Sequence, residues 1–297
     1  MLEVLFPDTF SVFMAFFESR GIIKLKPRSA SSMGWFGGYD GNIIGGLMIG
    51  LGMTLSGACP GTVLVQLTSG VRSGWFVLMG GVLGGVLHAR FSRHLRRSTT
   101  GNVVETQPDA KLTLQTKFNI RASHAILAYE ATCLAVIALT LFAGPKGAAA
   151  LLHPLVGGAL IGAAQAASLL LTGNPVGVST AYEQLGQLFW RVWDGSRSPS
   201  SQEKQRPPSN AIVFALGILA GSLVLVSAVP IQRAPTDVQL PTCRAALGGL
   251  VMVIGARIAG GCTSGHGISG MSTLSVSSVI TVASMFIGGT ASASIMR

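Results

Sequence analysis

Along the chain, apolar residues gather into runs near 4–19, 42–58, 75–89, 122–143, 151–171, 211–230, 243–261 and 274–296, divided by shorter polar segments. Several approach the ~20 residues an α-helix needs to cross a bilayer. The first run is short, and the second and third are rich in Gly. Pairs such as Gly46/Gly50 and Gly81/Gly85 stand four apart, the spacing at which small residues let transmembrane helices approach closely. The pattern predicts an all-α integral membrane protein, a polytopic helical bundle.

Composition agrees. Of 297 residues only 11% are charged against 49% apolar, and the mean hydropathy is +0.56. A soluble domain carries about 25% charge to cover its surface, so a soluble enzyme and a disordered tail are both excluded. The net charge of +10 does not indicate nucleic acid. Basic residues lie in a few loops between apolar runs, without a nucleic-acid-binding motif or interleaved aromatics. Four Cys without a CxxC pair give neither a disulfide framework nor a zinc finger. The start, MLEVLFPDTFSVFMAFF, carries acids where a signal peptide needs a basic region, and reads as mature protein.

The basic loops then set sidedness. Segments 20–41, 90–121 and 191–210 hold fifteen of the 21 Lys and Arg, which places all three in the cytoplasm. The loop 59–74 then faces outward and the loop 262–273 inward.

Sliding the chain by 203 residues aligns IGGLMIGLGMTLSGAC (44–59) with LGGLVMVIGARIAGGC (247–262) without a gap. Six of the sixteen positions are identical, Cys59 and Cys262 among them. By the charge map the two copies are oppositely oriented, as in transporters built from inverted repeats, whose substrate site lies near the midplane. The expected organisation is one transmembrane domain, 1–297. It comprises an N-terminal repeat (1–90) that looks incomplete, a basic cytoplasmic loop (91–121) and a C-terminal repeat (122–297). Helix-breaking clusters follow both aligned helices, at Cys59-Pro60-Gly61 and at 260–267, and a third interrupts 172–179. Irregular backbone at membrane depth is tolerated only where it is buried in protein or lines a cavity. All three therefore read as re-entrant loops with short half-helices.

At these loops the chain resembles the YeeE/YedE sulfur-transport family. GGCTSGHGISG (260–270) is the most specific motif, joined by SGACPGT (56–62), GNPVGVSTAYEQLG (173–186) and Ala256-Arg257. The resemblance implies an hourglass-shaped helical protein with pseudo-twofold symmetry and short helices meeting at the waist. It also implies thiosulfate passed between cysteines there by hydrogen bonds with thiols, without covalent change. The family usually carries another cysteine-bearing segment in its N-terminal half, whereas this chain has no Cys before Cys59. Either a shorter relay or a truncated gene product would account for that.

Cys59 and Cys262, at equivalent repeat positions, are the candidate pathway thiols. Gly61 and Thr62 follow the first. Thr263, Ser264, Asn174 and Ser179 offer hydroxyl, amide or backbone N–H donors, which at half-helix N-termini favour a divalent anion. His266 stands four residues after Cys262, but zinc needs three or four ligands, so hydrogen bonding within the loop is expected and no metal or cofactor is. Arg257 lies inside a span, where a charge costs about 2.5–3.5 kcal/mol on insertion scales and faces a cavity or a partner. It either attracts the anion or pairs with an acid such as Glu130 or Glu183. Cys133 and Cys243 read as packing residues. The leading expectation is a plasma-membrane importer of thiosulfate or a related sulfur anion, not an enzyme, with a possible soluble sulfur-handling partner on the cytoplasmic side. The alternatives are a membrane-embedded thiol redox or sulfur-relay component, and a non-transporting scaffold.

Overall fold

A computed structural model describes residues 27–98, 112–119, 121–143, 154–172, 177–193, 210–228 and 240–296. The run 4–19 and Asn174 fall outside them. The described residues form α1 (Asp40–Ser56), α2 (Thr62–Thr68), α3 (Arg72–Ser98), α4 (Leu114–Phe118), α5 (Ala122–Ala143), α6 (Pro154–Thr172), α7 (Ser179–Trp193), α8 (Asn210–Ala228) and α9 (Thr242–Ile258). A π-helix (Thr263–Gly270) and α10 (Val276–Ile295) complete the order. The protein is an all-α polytopic membrane protein. Among the described residues, Arg72–Phe91, Ala211–Ala228 and Val276–Ile295 are long and apolar enough to cross a membrane, and α9 with the π-helix makes a fourth if counted as one broken span.

Seven runs reappear as helices with ends shifted by a few residues. The largest shift is in α3, which continues past the apolar run into Arg90–Ser98. No Gly or Pro interrupts the chain between Gly85 and Ser98, and Arg and Leu are good helix formers, so the helix outlasts its apolar stretch.

The chain divides into two compact units. In the first, α5 and α6 accompany residues 265–279. There Gln165 donates to the Ser269 hydroxyl at 2.6 Å, and the hydroxyls of Ser275 and Ser277 donate to the Arg28 carbonyl. Backbone bonds from Leu114 to Leu274 and from Val276 to Leu112 hold the entry to α4 against the start of α10.

The second unit contains α1, α2, α3, α7, α8, α9 and residues 280–295 of α10. Here α1 and α9 cross antiparallel with glycine at the contact. Gly45 lies against Ala259, and Ser56 against Gly248; Gly52 lies against Met252, and Ile49 against Gly255. Adding 203 to one member of each pair, and subtracting it from the other, turns one contact into its counterpart. The same operation relates the contact of Gly46 with Ser284 to that of Gly249 with Gly81. Such reciprocity is the mark of a twofold relation between equivalent surfaces. Ile49, Val77, Met252, Ala256, Cys262 and Met285 form the core around the crossing. Buried Asn42 ties its end, donating to the Ala259 carbonyl and the Thr281 hydroxyl.

Candidate functional site

The two aligned helices end alike. Gly57, after α1, has φ 65°, and Gly260, after α9, has φ 80°. An L side chain enters this left-handed region at a steric cost that Gly escapes, which accounts for Gly at both equivalent positions. Each turn delivers a cysteine two residues later.

Cys59 begins α2 in fact if not in name. Its carbonyl accepts the Val63 N–H at 3.1 Å, the first bond of the helical ladder. Its sulfur accepts the Thr62 N–H at 3.4 Å, and its own N–H donates to the Thr62 hydroxyl at 2.7 Å. This is the reciprocal geometry of a capping box, with a thiol replacing the usual hydroxyl. Pro60 takes the first helical position, where its missing N–H is no loss. Gly61 follows, and a methyl group added there would meet Val178 and the Cys59 sulfur. Cys59 remains partly exposed, while Cys262 is buried with its sulfur 3.2 Å from the Ser264 hydroxyl. Thr263 and Ser264 open the π-helix and are half-buried.

One residue that the sequence reading passed over lies near this turn. Tyr182, on α7, is 3% exposed and packs with Leu64, Val178 and Val253. Its hydroxyl donates to the Pro60 carbonyl at 3.0 Å, and both the Cys59 and Cys262 thiols lie within electrostatic reach of its phenol. Its ring rests against Gly81, and its backbone against Gly85. Only its place in the AYEQLG stretch of the family-like motif hinted at it.

Arg257, in the last turn of α9, forms an ion pair with Glu183 of α7. This is the second of the two readings offered for it, with Glu183 as the acid. Its Nε is buried, with no hydrogen-bond partner among the described residues. Farther along α7, the Trp190 indole donates to the Val86 carbonyl, and Arg90 stacks over the Trp190 ring at 4.3 Å. Ser179 is buried at the first position of α7.

His266, in the other unit, is 1% exposed, and its Nδ1 lies 3.0 Å from the Ser278 hydroxyl. That partner sits on α10, beyond the loop. Cys133 is buried, as a packing residue is, whereas Cys243 is exposed at the start of α9.

A family model described as sulphur transport matches residues 8–291, a span that takes in every one of these residues. The chain belongs to the YeeE/YedE sulfur-transport family. Two relatives, each named a probable transporter, come from Xylella fastidiosa. The protein of strain 9a5c is 31% identical over 145 residues, and that of strain Temecula1 is 30% identical over the same length. Each match takes in 48% of this chain and 93% of the relative. As a member of the sulfur-transport family with apolar helices of spanning length, the protein is a multi-pass membrane transporter, and its family implies a small sulfur anion as cargo.

Proposed function

We propose that the protein imports thiosulfate, or a closely related sulfur anion, along a central pathway lined by Cys59 and Cys262. The observation that carries the reading is the equivalence of the two thiols. Each follows a left-handed glycine at the end of a repeat helix, and both lie within reach of the same phenol. The Cys59 sulfur already accepts the Thr62 N–H, so its own proton remains to be offered outward. A thiol proton is a weak donor, able to hold a sulfur anion without trapping it.

The other residues have supporting parts. Gly61 and Thr62 shape the turn at Cys59, and Thr263 and Ser264 supply donors beside Cys262. Arg257 contributes positive charge and the Nε–H that Glu183 leaves unused. Ser179, buried at the start of α7, is a further candidate donor. No cofactor or metal enters the scheme. The reciprocal contacts of α1 with α9 support an inverted repeat, with 1–90 and 122–297 as its halves and 91–121 as a basic link. The Lys and Arg bias supports a plasma-membrane orientation with 20–41, 90–121 and 191–210 in the cytoplasm, where a soluble sulfur-handling partner would receive the anion.

Uptake of labelled thiosulfate into proteoliposomes, against sulfate and sulfite, tests the substrate. Saturable uptake of thiosulfate that neither control anion inhibits is the expected result. Transport of sulfate at an equal rate would overturn it.

A further inference from the structure

We propose that Tyr182 is a positioning residue of this pathway: by holding the Cys59-Pro60-Gly61 turn from α7, it keeps the Cys59 thiol aimed at the route to Cys262. The inference rests on the thiol-lined reading above and adds to it a residue whose side chain takes no part in binding the anion.

The need for such a support follows from the turn itself. Helical bonding begins at the Cys59 carbonyl, which takes the Val63 N–H, but the next N–H, that of Leu64, bonds the Gly61 carbonyl at 3.2 Å. The Pro60 carbonyl is therefore passed over by the ladder. A buried carbonyl needs a donor from elsewhere, and the Tyr182 hydroxyl supplies it. The donor comes from 122 residues away, so the bond joins two distant segments at the very residue after Cys59.

The phenol is well placed to act as a strut. Leu64, Val178 and Val253 surround it, and Gly81 leaves room for its ring. A phenol has a single proton, and here that proton is committed to Pro60. Toward an anion the oxygen would present only lone pairs, which repel it. Tyr182 therefore acts on the cargo through the position of Cys59.

Tyr182→Phe removes the hydroxyl and keeps the ring in its slot. Alkylation of individual cysteines by N-ethylmaleimide, followed by mass spectrometry of the purified full-length protein, reads the turn directly. Cys59 should react about fivefold faster in the variant, the factor set by one hydrogen bond of ordinary net strength. The buried thiols Cys133 and Cys262 should stay within about twofold of the wild type, the margin of an unperturbed site. Thiosulfate uptake should fall by about the same fivefold factor, through its maximal rate. An unchanged Cys59 rate overturns the proposal. So does equal acceleration of all three thiols, which would make Tyr182 a general core residue, and so does a faster Cys59 with undiminished uptake. A wild-type protein that carries no thiosulfate would sink the substrate assignment alone, and Cys59 alkylation would still decide the role of Tyr182.

Discussion

A thiol and a hydroxyl differ little in size, but sulfur is softer and its proton a weaker donor, and the proposed pathway would depend on that difference. Cys262→Ala should abolish thiosulfate uptake while leaving the protein folded, since it removes only one donor and a small apolar volume from the core around Met252 and Ala256. Cys262→Ser should be strongly impaired as well, because a harder oxygen replaces the polarizable sulfur. Cys133→Ser should transport nearly normally. Uptake assays on variants matched for expression check all three, and normal uptake by Cys262→Ala would remove the thiol from the mechanism. Both cysteines were visible in the sequence because each stands beside a helix breaker at an equivalent repeat position. Tyr182 was not, because its part depends on a carbonyl left over in a turn far away in the chain. Arg257 was half legible. A charge inside a span demanded a partner, but choosing Glu183 over Glu130 required knowing which face of α7 meets α9.

At the scale of elements, the apolar runs located the helices, and the small-residue pairs announced close crossings without naming the neighbours. Gly46 and Gly50 meet α10 at Ser284 and Met285, whereas Gly81 and Gly85 accommodate Tyr182. A periodicity of four says that a face is flat, and says nothing of what lies on it. The crossing of α1 with α9 makes a sharper demand. A methyl group at Gly52 would sit 2.6 Å from the Met252 backbone nitrogen, while one at Gly217 of α8 would meet nothing within 4 Å. Gly52→Ala should therefore destabilise by about 1–3 kcal/mol, the cost of overpacking. Gly217→Ala should be neutral or stabilising by up to about 1 kcal/mol, the gain in helix propensity. Thermal unfolding in detergent compares the two, and equal shifts would mean that the crossing yields to the added methyl.

For the whole molecule, sidedness and the repeat stand or fall together. The 203-residue shift relates α1, α2 and α3 to α9, the π-helix and α10 in order, and α1 crosses α9 antiparallel. If the units are inverted repeats about an axis in the membrane plane, they enter the bilayer from opposite sides. The basic segments 20–41, 90–121 and 191–210 can share the cytoplasm only if an even number of spans separates each from the next. On that orientation 42–58 with 75–89 would form one out-and-back pair, and 122–143 with 151–171 another. Cysteines placed one at a time by Ser98→Cys and Ser200→Cys test this, with labelling read at each introduced position by mass spectrometry so that the native thiols, Cys59 above all, are told apart. An impermeant maleimide should reach either site only after the cells are permeabilised. Labelling from outside in intact cells would reverse the sidedness of that segment. An odd number of spans would then lie between segments of like charge, and an outward 191–210 would make α9 enter in the same direction as α1, against their antiparallel crossing. With that, Cys59 and Cys262 would lose the equivalence on which the proposed handover between them rests.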